Sequence, residues 1–280
     1  MDNLFSRLFA DIFKSCETFV LHDFMSLRNQ DRNGNICYCL SSCKKLFDET
    51  ISVLAKARYN GEIILPKTLA FDYKSIFPTE NIITNSISLL KKKIVTSDNT
   101  IKLSTAREVK EKMRILFIPI DGMASFSNCI GDFSVVLVAQ KEDDERKCFI
   151  TEYVAIFNPL INDIFTFDLQ NGCQQNGRKI NNDTILQTNL DINAIFVNDC
   201  STRINFDLTK LSQKTTSLAI STSIFSSLVN ILTTKNNLCV YKINNEYFDI
   251  VNFVIKVANL STRKVGEHLL IGAKRIIEVI

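Results

Sequence analysis

The sequence predicts a mixed α/β protein of the α+β kind, in which helices and strands occur in alternating blocks. Amphipathic periodicity near the N-terminus, and again towards the C-terminus, indicates packing helices. Between these regions, short apolar runs are separated by Asp-Gly, Asn-Pro and Asn-Gly turns, a pattern typical of buried strands. Such alternation favours a layered α/β architecture.

The N-terminal part is predicted to be helical. Residues 4–20 repeat apolar side chains at i, i+1, i+4 and i+5, and a second helix is expected over about 44–58. The following segment, residues 68–114, is polar, mixed in charge and weakly periodic. We interpret it as an insertion or long surface excursion, and its Lys91–Lys93 run as a solvated face.

The middle of the chain is predicted to form strands, and the C-terminal part adds helices. The predicted strands share short apolar runs bounded by turn residues and cover 115–120, 133–140, 152–157 and 164–168. Asn176-Gly177 marks a tight turn. Helices are expected over 218–232 and 250–260, and Asp249 stands where an N-cap residue would stand.

Composition excludes several classes of protein. The 33 basic and 30 acidic residues leave a net charge of +3, without the basic excess expected of a protein that binds nucleic acid or anionic lipid. No apolar run approaches the roughly 18 residues of a membrane span. Asp2 and Asp11 interrupt any signal-peptide pattern, so we expect a cytoplasmic protein.

The nine cysteines indicate a reducing compartment, because their number is odd and they are scattered along the chain. Cys37, Cys39 and Cys43 are clustered, but only His22 and His268 are available to complete a metal site. This favours small buried thiols over metal or redox chemistry.

Three segments in this order resemble motifs of one enzyme superfamily. Residues 115–126 (I-L-F-I-P-I-D-G-M-A-S-F) are similar to W-I-x-D-P-[IL]-D-G-T-x-N-F. Residues 155–165 and 172–178 are similar to G-V-I-Y-N-P-x-x-D-E-L-[FY] and G-x-G-A-F-x-N-G-R, and residues 248–250 (F-D-I) to W-D-[IV]-A-A-G. The chain thus resembles the inositol monophosphatase superfamily of Mg²⁺-dependent phosphomonoesterases, in particular its bacterial extragenic-suppressor (SuhB-like) branch.

The resemblance implies a layered αβαβα sandwich of the inositol monophosphatase and sugar phosphatase type. It further implies one structural unit with two parts. Residues 1–180 form an α+β subdomain that carries the Asp-Gly motif and the polar insertion, and residues 181–280 form an α/β subdomain that carries Asp249. A homodimer is expected by the same resemblance.

The resemblance also implies which residues would hold Mg²⁺ and phosphate. Asp121, Asp249 and the backbone carbonyl of Ile120 match metal-ligand positions, and hard cations need such oxygen ligands. The phosphate would lie on the backbone of the turn formed by Gly122, Met123, Ala124 and Ser125.

At other positions of the implied site, this sequence has residues that cannot do what the residues of the family motif do. Ile118 replaces the first aspartate of the motif, and Lys242 replaces a substrate-selecting glutamate. Met123 and Cys43 occupy the positions of the threonine and the aspartate that serve the attacking water, so no catalytic residue is assigned. The glutamate motif upstream aligns either with Pro66 and Lys67 or with Asn85 and Ser86, neither of which supplies a carboxylate.

These losses predict a catalytically impaired protein that retains a binding or regulatory role, with a phosphorylated small molecule or a protein as its ligand. Two aspartates alone would bind Mg²⁺ weakly or not at all. The alternative is a divergent, active Mg²⁺-dependent phosphatase acting on inositol, sugar or nucleotide monophosphates. That alternative requires carboxylates from the insertion, among them Glu80, Asp98, Glu108 and Glu111.

Overall fold

The computed structural model describes residues 2–27, 35–57, 59, 61–66, 93–97, 100–104, 112–180, 192–197, 211–233, 237–243 and 247–280. The helices in these residues are α1 (Asp2–Leu27), α2 (Asn35–Lys56), α3 (Met123–Ser127), α4 (Ile224–Thr233), α5 (Phe248–Val257) and α6 (Lys274–Val279). The strands are β1 (Gly61–Ile64), β2 (Lys93–Ser97), β3 (Thr100–Ser104), β4 (Met113–Asp121), β5 (Ser134–Asp143), β6 (Cys148–Asn158), β7 (Asp163–Asp168), β8 (Gly172–Gln175), β9 (Arg178–Lys179), β10 (Asn193–Val197), β11 (Ser217–Ser221), β12 (Leu238–Lys242), β13 (Ser261–Val265) and β14 (His268–Gly272).

The described strands form two sheets. The first has the order β2-β3-β1-β4-β5-β6-β7-β8-β9 and is antiparallel except for the parallel pair β1 and β4. The second has the order β11-β10-β12-β14-β13, in which β11, β10 and β12 are parallel and β14 and β13 are antiparallel.

Successive side chains of each strand point to opposite faces of its sheet. The core of the described residues therefore consists of three apolar clusters, each packed between two neighbouring layers of a five-layer structure. On β4, Ile115 and Phe117 pack with α1 and α2, whereas Leu116 and Ile118 pack with α4 and α5. The same α4 and α5 cover one face of the second sheet, whose other face packs on α6. The order is helices, sheet, helices, sheet, helix. The predicted αβαβα sandwich is therefore confirmed.

The two N-terminal helices cover the first sheet with aromatic side chains. Phe9 and Phe13 of α1 are buried, and the Phe13 ring stacks on Phe157 of β6 with 5.2 Å between ring centroids. Complete burial of one such side chain contributes about 1.5–3 kcal/mol. The helix predicted over 4–20 is confirmed and continues to Leu27, and the second helix begins earlier than predicted, at Asn35.

All four predicted strands are present, as β4 to β7, but the helix predicted over 218–232 is wrong in its first part. Ser217–Ser221 forms β11, and α4 begins only at Ile224. Only the three hydroxyl residues 221–223 separate the apolar residues of this short edge strand from those of the helix, so the sequence resembles a single helical segment. Asp249 is not an N-cap either, because α5 begins at Phe248 and Tyr247 takes the cap position. Asp249 instead lies in the first helical turn, where the helix dipole stabilises a negative charge.

Part of the segment read as a polar excursion is regular structure. Strands β2 and β3 pair with each other, and β3 pairs with β1, so they extend the first sheet at its edge. Edge pairing uses backbone hydrogen bonds and needs no continuous apolar run, so the weak periodicity gave no sign of it. Lys91 and Lys92 lie outside the described residues. None of the helices in the described part of the chain combines the length and apolar character needed to cross a membrane.

A buried carboxylate joins α1 to α2. Asp23 is 1% exposed; Ser42 Oγ donates a hydrogen bond to its Oδ2 at 2.8 Å, and Lys45 Nζ lies 3.1 Å from its Oδ1. Burial alone would raise the pKa of Asp23, but the hydrogen bonds from Ser42, Lys45 and His22 outweigh it and lower that pKa below its ordinary value.

We predict that Asp23→Asn lowers the free energy of unfolding by about 1–3 kcal/mol at neutral pH, because the Lys45 charge loses its partner. The folded state lowers the pKa of Asp23, so its contribution is present above about pH 4 and is lost as the pH falls further. Urea unfolding at neutral and acidic pH measures this: the difference between wild type and variant should shrink in acid. Asp11→Asn, an exposed site on the same helix, is the matched control. An equal effect of both substitutions would contradict the assignment.

Candidate functional site

The site predicted from the Asp-Gly motif lies where β4 ends against the start of α4. The register of β4 with β5 shifts between Ile118 and Asp121, and Asp121 is 8% exposed. Its Oδ2 accepts a hydrogen bond of 2.5 Å from Ser223 Oγ and one of 2.9 Å from the backbone N–H of Phe225. The carboxylate is thus bonded to the first turn of α4.

Ser223 is the N-cap of α4. Its Oγ accepts the backbone N–H of Ser226 at 3.0 Å while it donates to Asp121. Asp121 therefore supports the cap and places a negative charge at a helix N-terminus, where the dipole favours it. Burial is the larger effect and raises the pKa of Asp121 to about 6, although the hydrogen bonds from Ser223 and Phe225 act in the opposite direction.

Three consecutive hydroxyl residues, Ser221, Thr222 and Ser223, connect β11 to α4, and we call them the hydroxyl junction. Each is bonded to a different residue between the last residue of β4, Asp121, and Asp132. Ser223 donates to Asp121 as described above, and Ser221 Oγ donates to the carboxylate of Asp132. Thr222 Oγ1 lies 2.6 Å from Ser125 Oγ and accepts the backbone N–H of Ser125 at 3.2 Å. The junction therefore fixes the Asp-Gly turn against the second sheet.

Gly122 allows this close approach. Its φ is +86°, and a Cβ atom there would lie 2.6 Å from the carbonyl oxygen of Asp132 and 2.9 Å from Cβ of Ser223. Both the left-handed backbone and the lack of space favour glycine.

A small cavity lies beside Asp121. Its volume is about 50 Å³, and its lining residues are Asp121, Val197, Thr222, Ile224, Tyr241, Lys242 and Tyr247. Sites that enclose a whole drug-sized ligand measure about 300–1,000 Å³. The space beside Asp121 therefore encloses at most a small group of a ligand. Lys242 supplies a positive charge, and its Nζ lies 3.8 Å from Oε2 of Glu267.

The structure brings some of the predicted site residues together and separates others. Asp121 and Gly122 lie at the junction, and Ser125 bonds to Thr222. Met123 and the side chain of Ile120 pack into the cluster under α1 and α2, and Ala124 is half-buried. Asp249 is exposed and does not line the cavity.

The positions predicted to have lost their chemistry have packing roles. Ile118 and Cys43 are buried in the apolar clusters on opposite faces of the first sheet. Burial raises the pKa of the Cys43 thiol, with a smaller contribution from Cys39. The free cysteines are Cys16, Cys39, Cys43, Cys129, Cys148, Cys173 and Cys239. Lys67, Asn85, Ser86, Glu80, Asp98, Glu108 and Glu111 lie outside the described residues.

Sequence reasoning missed the hydroxyl junction. A Ser-Thr-Ser run directly before an apolar helical stretch is a recognisable start signal, since serine favours the N-cap position. The signal was hidden because residues 218–221 were assigned to the same helix. Tyr241 and Tyr247 carry no sequence pattern that would have placed them beside Asp121.

The donor groups do not fit the Mg²⁺ ions that the resemblance implies. Within the described residues, no group of three or more His, Cys, Asp or Glu side chains is arranged to hold a metal ion. One oxygen of Asp121 already accepts two hydrogen bonds, and Ile118 offers hydrocarbon where an oxygen is needed. Mg²⁺ requires near-octahedral oxygen coordination, which these groups do not supply.

Five alternating layers define the αβαβα class of architecture. Comparison with solved structures shows which proteins of this class have the same fold. An extragenic suppressor from Pyrococcus furiosus matches with a TM-score of 0.63 at 12% identity, over 100% of this chain and 99% of that one. The extragenic suppressor protein suhB from Bartonella henselae matches with a TM-score of 0.64 at 11% identity, over 98% and 95% of the two chains. A 2′AMP-bound SaIMPase-II matches with a TM-score of 0.60 at 11% identity, over 98% and 92%.

No protein-family model matches the chain, and no curated protein matches its sequence. The chain has the fold of the inositol monophosphatases and extragenic suppressors. The resemblance identified from the three sequence segments is confirmed at the level of the fold.

We predict that Gly122→Ala destabilises the protein more than Gly177→Ala does. Both glycines have positive φ, but a Cβ at Gly177 would meet nothing within 4 Å. The shared backbone cost is about 1–2 kcal/mol, and the clash at Gly122 should add about 1–3 kcal/mol. Urea unfolding of the two variants measures the difference. Equal losses would show that the space around Gly122 is not closed.

We predict that Asp121→Ala lowers the free energy of unfolding by about 1–3 kcal/mol, because the Ser223 hydroxyl and the first turn of α4 lose their acceptor. Asp121→Asn keeps one acceptor and should cost less. The folded state raises the pKa of Asp121 to about 6, so the stability it contributes is greatest below about pH 4 and declines as the pH rises through 6. The loss caused by Asp121→Asn should therefore be larger at pH 5 than above pH 7.

Thermal unfolding across this pH range gives the measurement. Asp249→Asn is the control, since that side chain is exposed and its removal should change stability by less than about 0.5 kcal/mol. A loss for Asp121→Asn that grows with rising pH would contradict the burial of this carboxylate.

Proposed function

We propose that this chain is a cytoplasmic protein that binds the phosphate group of a small phosphorylated molecule without hydrolysing it. The observation that supports the proposal is that Asp121 accepts two hydrogen bonds from the start of α4. A carboxylate that caps a helix is poorly placed to bridge metal ions. Without a divalent ion, nothing in the described cavity lowers the pKa of an attacking water.

The cavity beside Asp121 supports the binding part of the proposal. Lys242 offers an ammonium group, and the lining also includes the hydroxyl-bearing residues Thr222, Tyr241 and Tyr247. Lysine binds phosphate as a point charge and hydroxyls add hydrogen bonds, so the set matches an anion of phosphate size. The 2′AMP-bound SaIMPase-II has the same fold, which is consistent with a phosphorylated ligand here.

This proposal places the phosphate at a different position from the one that the sequence resemblance implies. The backbone N–H of Ser125, one of the expected donors in the Asp-Gly turn, donates to Thr222 instead. We therefore assign the phosphate to the Lys242 side of the cavity, next to the turn formed by Gly122, Met123, Ala124 and Ser125. The homodimer that the resemblance implies belongs to the same proposal.

Calorimetry with inorganic phosphate in the presence of EDTA tests metal-independent binding. We predict binding by the wild type and a loss of about tenfold or more in Lys242→Met, because a charged hydrogen-bonding partner is removed. Lys274→Met, an exposed lysine on α6, is the matched control. Absence of binding by the wild type would contradict the proposal.

Hydrolysis is tested separately with inositol phosphate and an aryl phosphate in the presence of Mg²⁺. The proposal predicts no turnover above that of Asp121→Asn. Mg²⁺-dependent turnover that disappears in this variant would instead establish the alternative, a divergent active phosphatase.

A further inference from the structure

We propose that Glu267 competes with the phosphate ligand for Lys242. Its carboxylate forms an ion pair with Lys242 until a phosphate group displaces it. This inference rests on the proposed function, because Lys242 is the cation assigned to the phosphate. It adds a residue outside the cavity that sets how readily the site accepts an anion.

The fold holds Glu267 next to Lys242. Lys242 ends β12 and pairs in register with His268, the first residue of β14. Glu267 directly precedes His268, and its backbone carbonyl accepts the N–H of Ile243 at 2.9 Å. The backbone of Glu267 is therefore fixed beside the end of β12, within reach of the Lys242 ammonium group.

The ion pair itself is weak enough to be displaced. The distance between Lys242 Nζ and Glu267 Oε2 is 3.8 Å, longer than a hydrogen bond, and the Glu267 side chain is 72% exposed. Pairs of this kind change equilibria by only a factor of about two to five. A phosphate dianion carries more charge than a carboxylate and would reach Lys242 from the cavity side, so it can replace Glu267.

The surroundings allow Glu267 to move away and leave Lys242 as the available charge. The Glu267 side chain can turn into solvent, since it is 72% exposed and a Cβ at the preceding Gly266 would meet nothing within 4 Å. His268 is buried, and burial together with the Lys242 charge lowers the pKa of its imidazole. At neutral pH that ring is uncharged and does not replace the lysine as a cation.

Calorimetry with inorganic phosphate in EDTA at low ionic strength, comparing Glu267→Gln with the wild type, tests the inference. We expect the variant to bind phosphate two- to fivefold more tightly, since Lys242 is released from its competitor. Glu278→Gln is the matched control, because it removes the same charge from an exposed pair with Lys274 on α6 and should leave the affinity unchanged. Thermal unfolding verifies that both variants are folded.

The outcomes separate the inference from the proposed function. Equal or weaker binding by Glu267→Gln, with binding by the wild type intact, overturns the role of Glu267 alone. Binding by Glu267→Gln without detectable binding by the wild type overturns the proposed function and also the inference, because a competitor that changes affinity two- to fivefold cannot abolish binding. If neither protein binds phosphate, both the inference and the proposed function are wrong.

Discussion

The hydrogen bonds between the hydroxyl junction and the segment after β4 are the constraint on which the arrangement of the site depends. They join the end of a central strand of the first sheet to the loop that leaves the second sheet. Because α4 starts at this point and packs against both sheets, the position of its first turn also sets how the middle helix layer lies between them. Gly122 completes the constraint, since any larger residue would separate the two segments.

Under the proposed function, Asp121 is an acidic residue of the motif that caps a helix and does not bind a metal ion. Its Oδ2 accepts two hydrogen bonds from the start of α4, and burial disfavours its charged form. A metal ion beside it would favour the charged form but would need several more oxygen ligands. Helix capping needs only one acceptor, which makes capping the role that survives when neighbouring ligands such as the one replaced by Ile118 are lost.

The sequence predicts the layers of the fold better than it predicts the residues that surround Asp121. The continuous apolar runs in 115–120 and 133–140 indicate strands buried on both faces, and such strands require helices on each side. The start of α4 was misplaced because Leu218 and Ile220 look like helix core residues, although Ile220 is 63% exposed on an edge strand. Thr222, Tyr241 and Tyr247 meet Asp121 only through the pairing of distant strands, which local patterns do not encode.

Under the proposed function, Lys242, which stands where the resemblance implies a substrate-selecting glutamate, decides what kind of chemistry the cavity supports. A lysine ammonium attracts phosphate, as a divalent ion does, but it has no open coordination position to hold a water molecule. It can therefore stabilise a bound anion without generating a nucleophile. An ammonium group is also neutralised by a single carboxylate, whereas a divalent ion is not, so a nearby acidic side chain such as Glu267 competes directly with the ligand. A binding site built on lysine is consequently open to control by its own neighbouring charges.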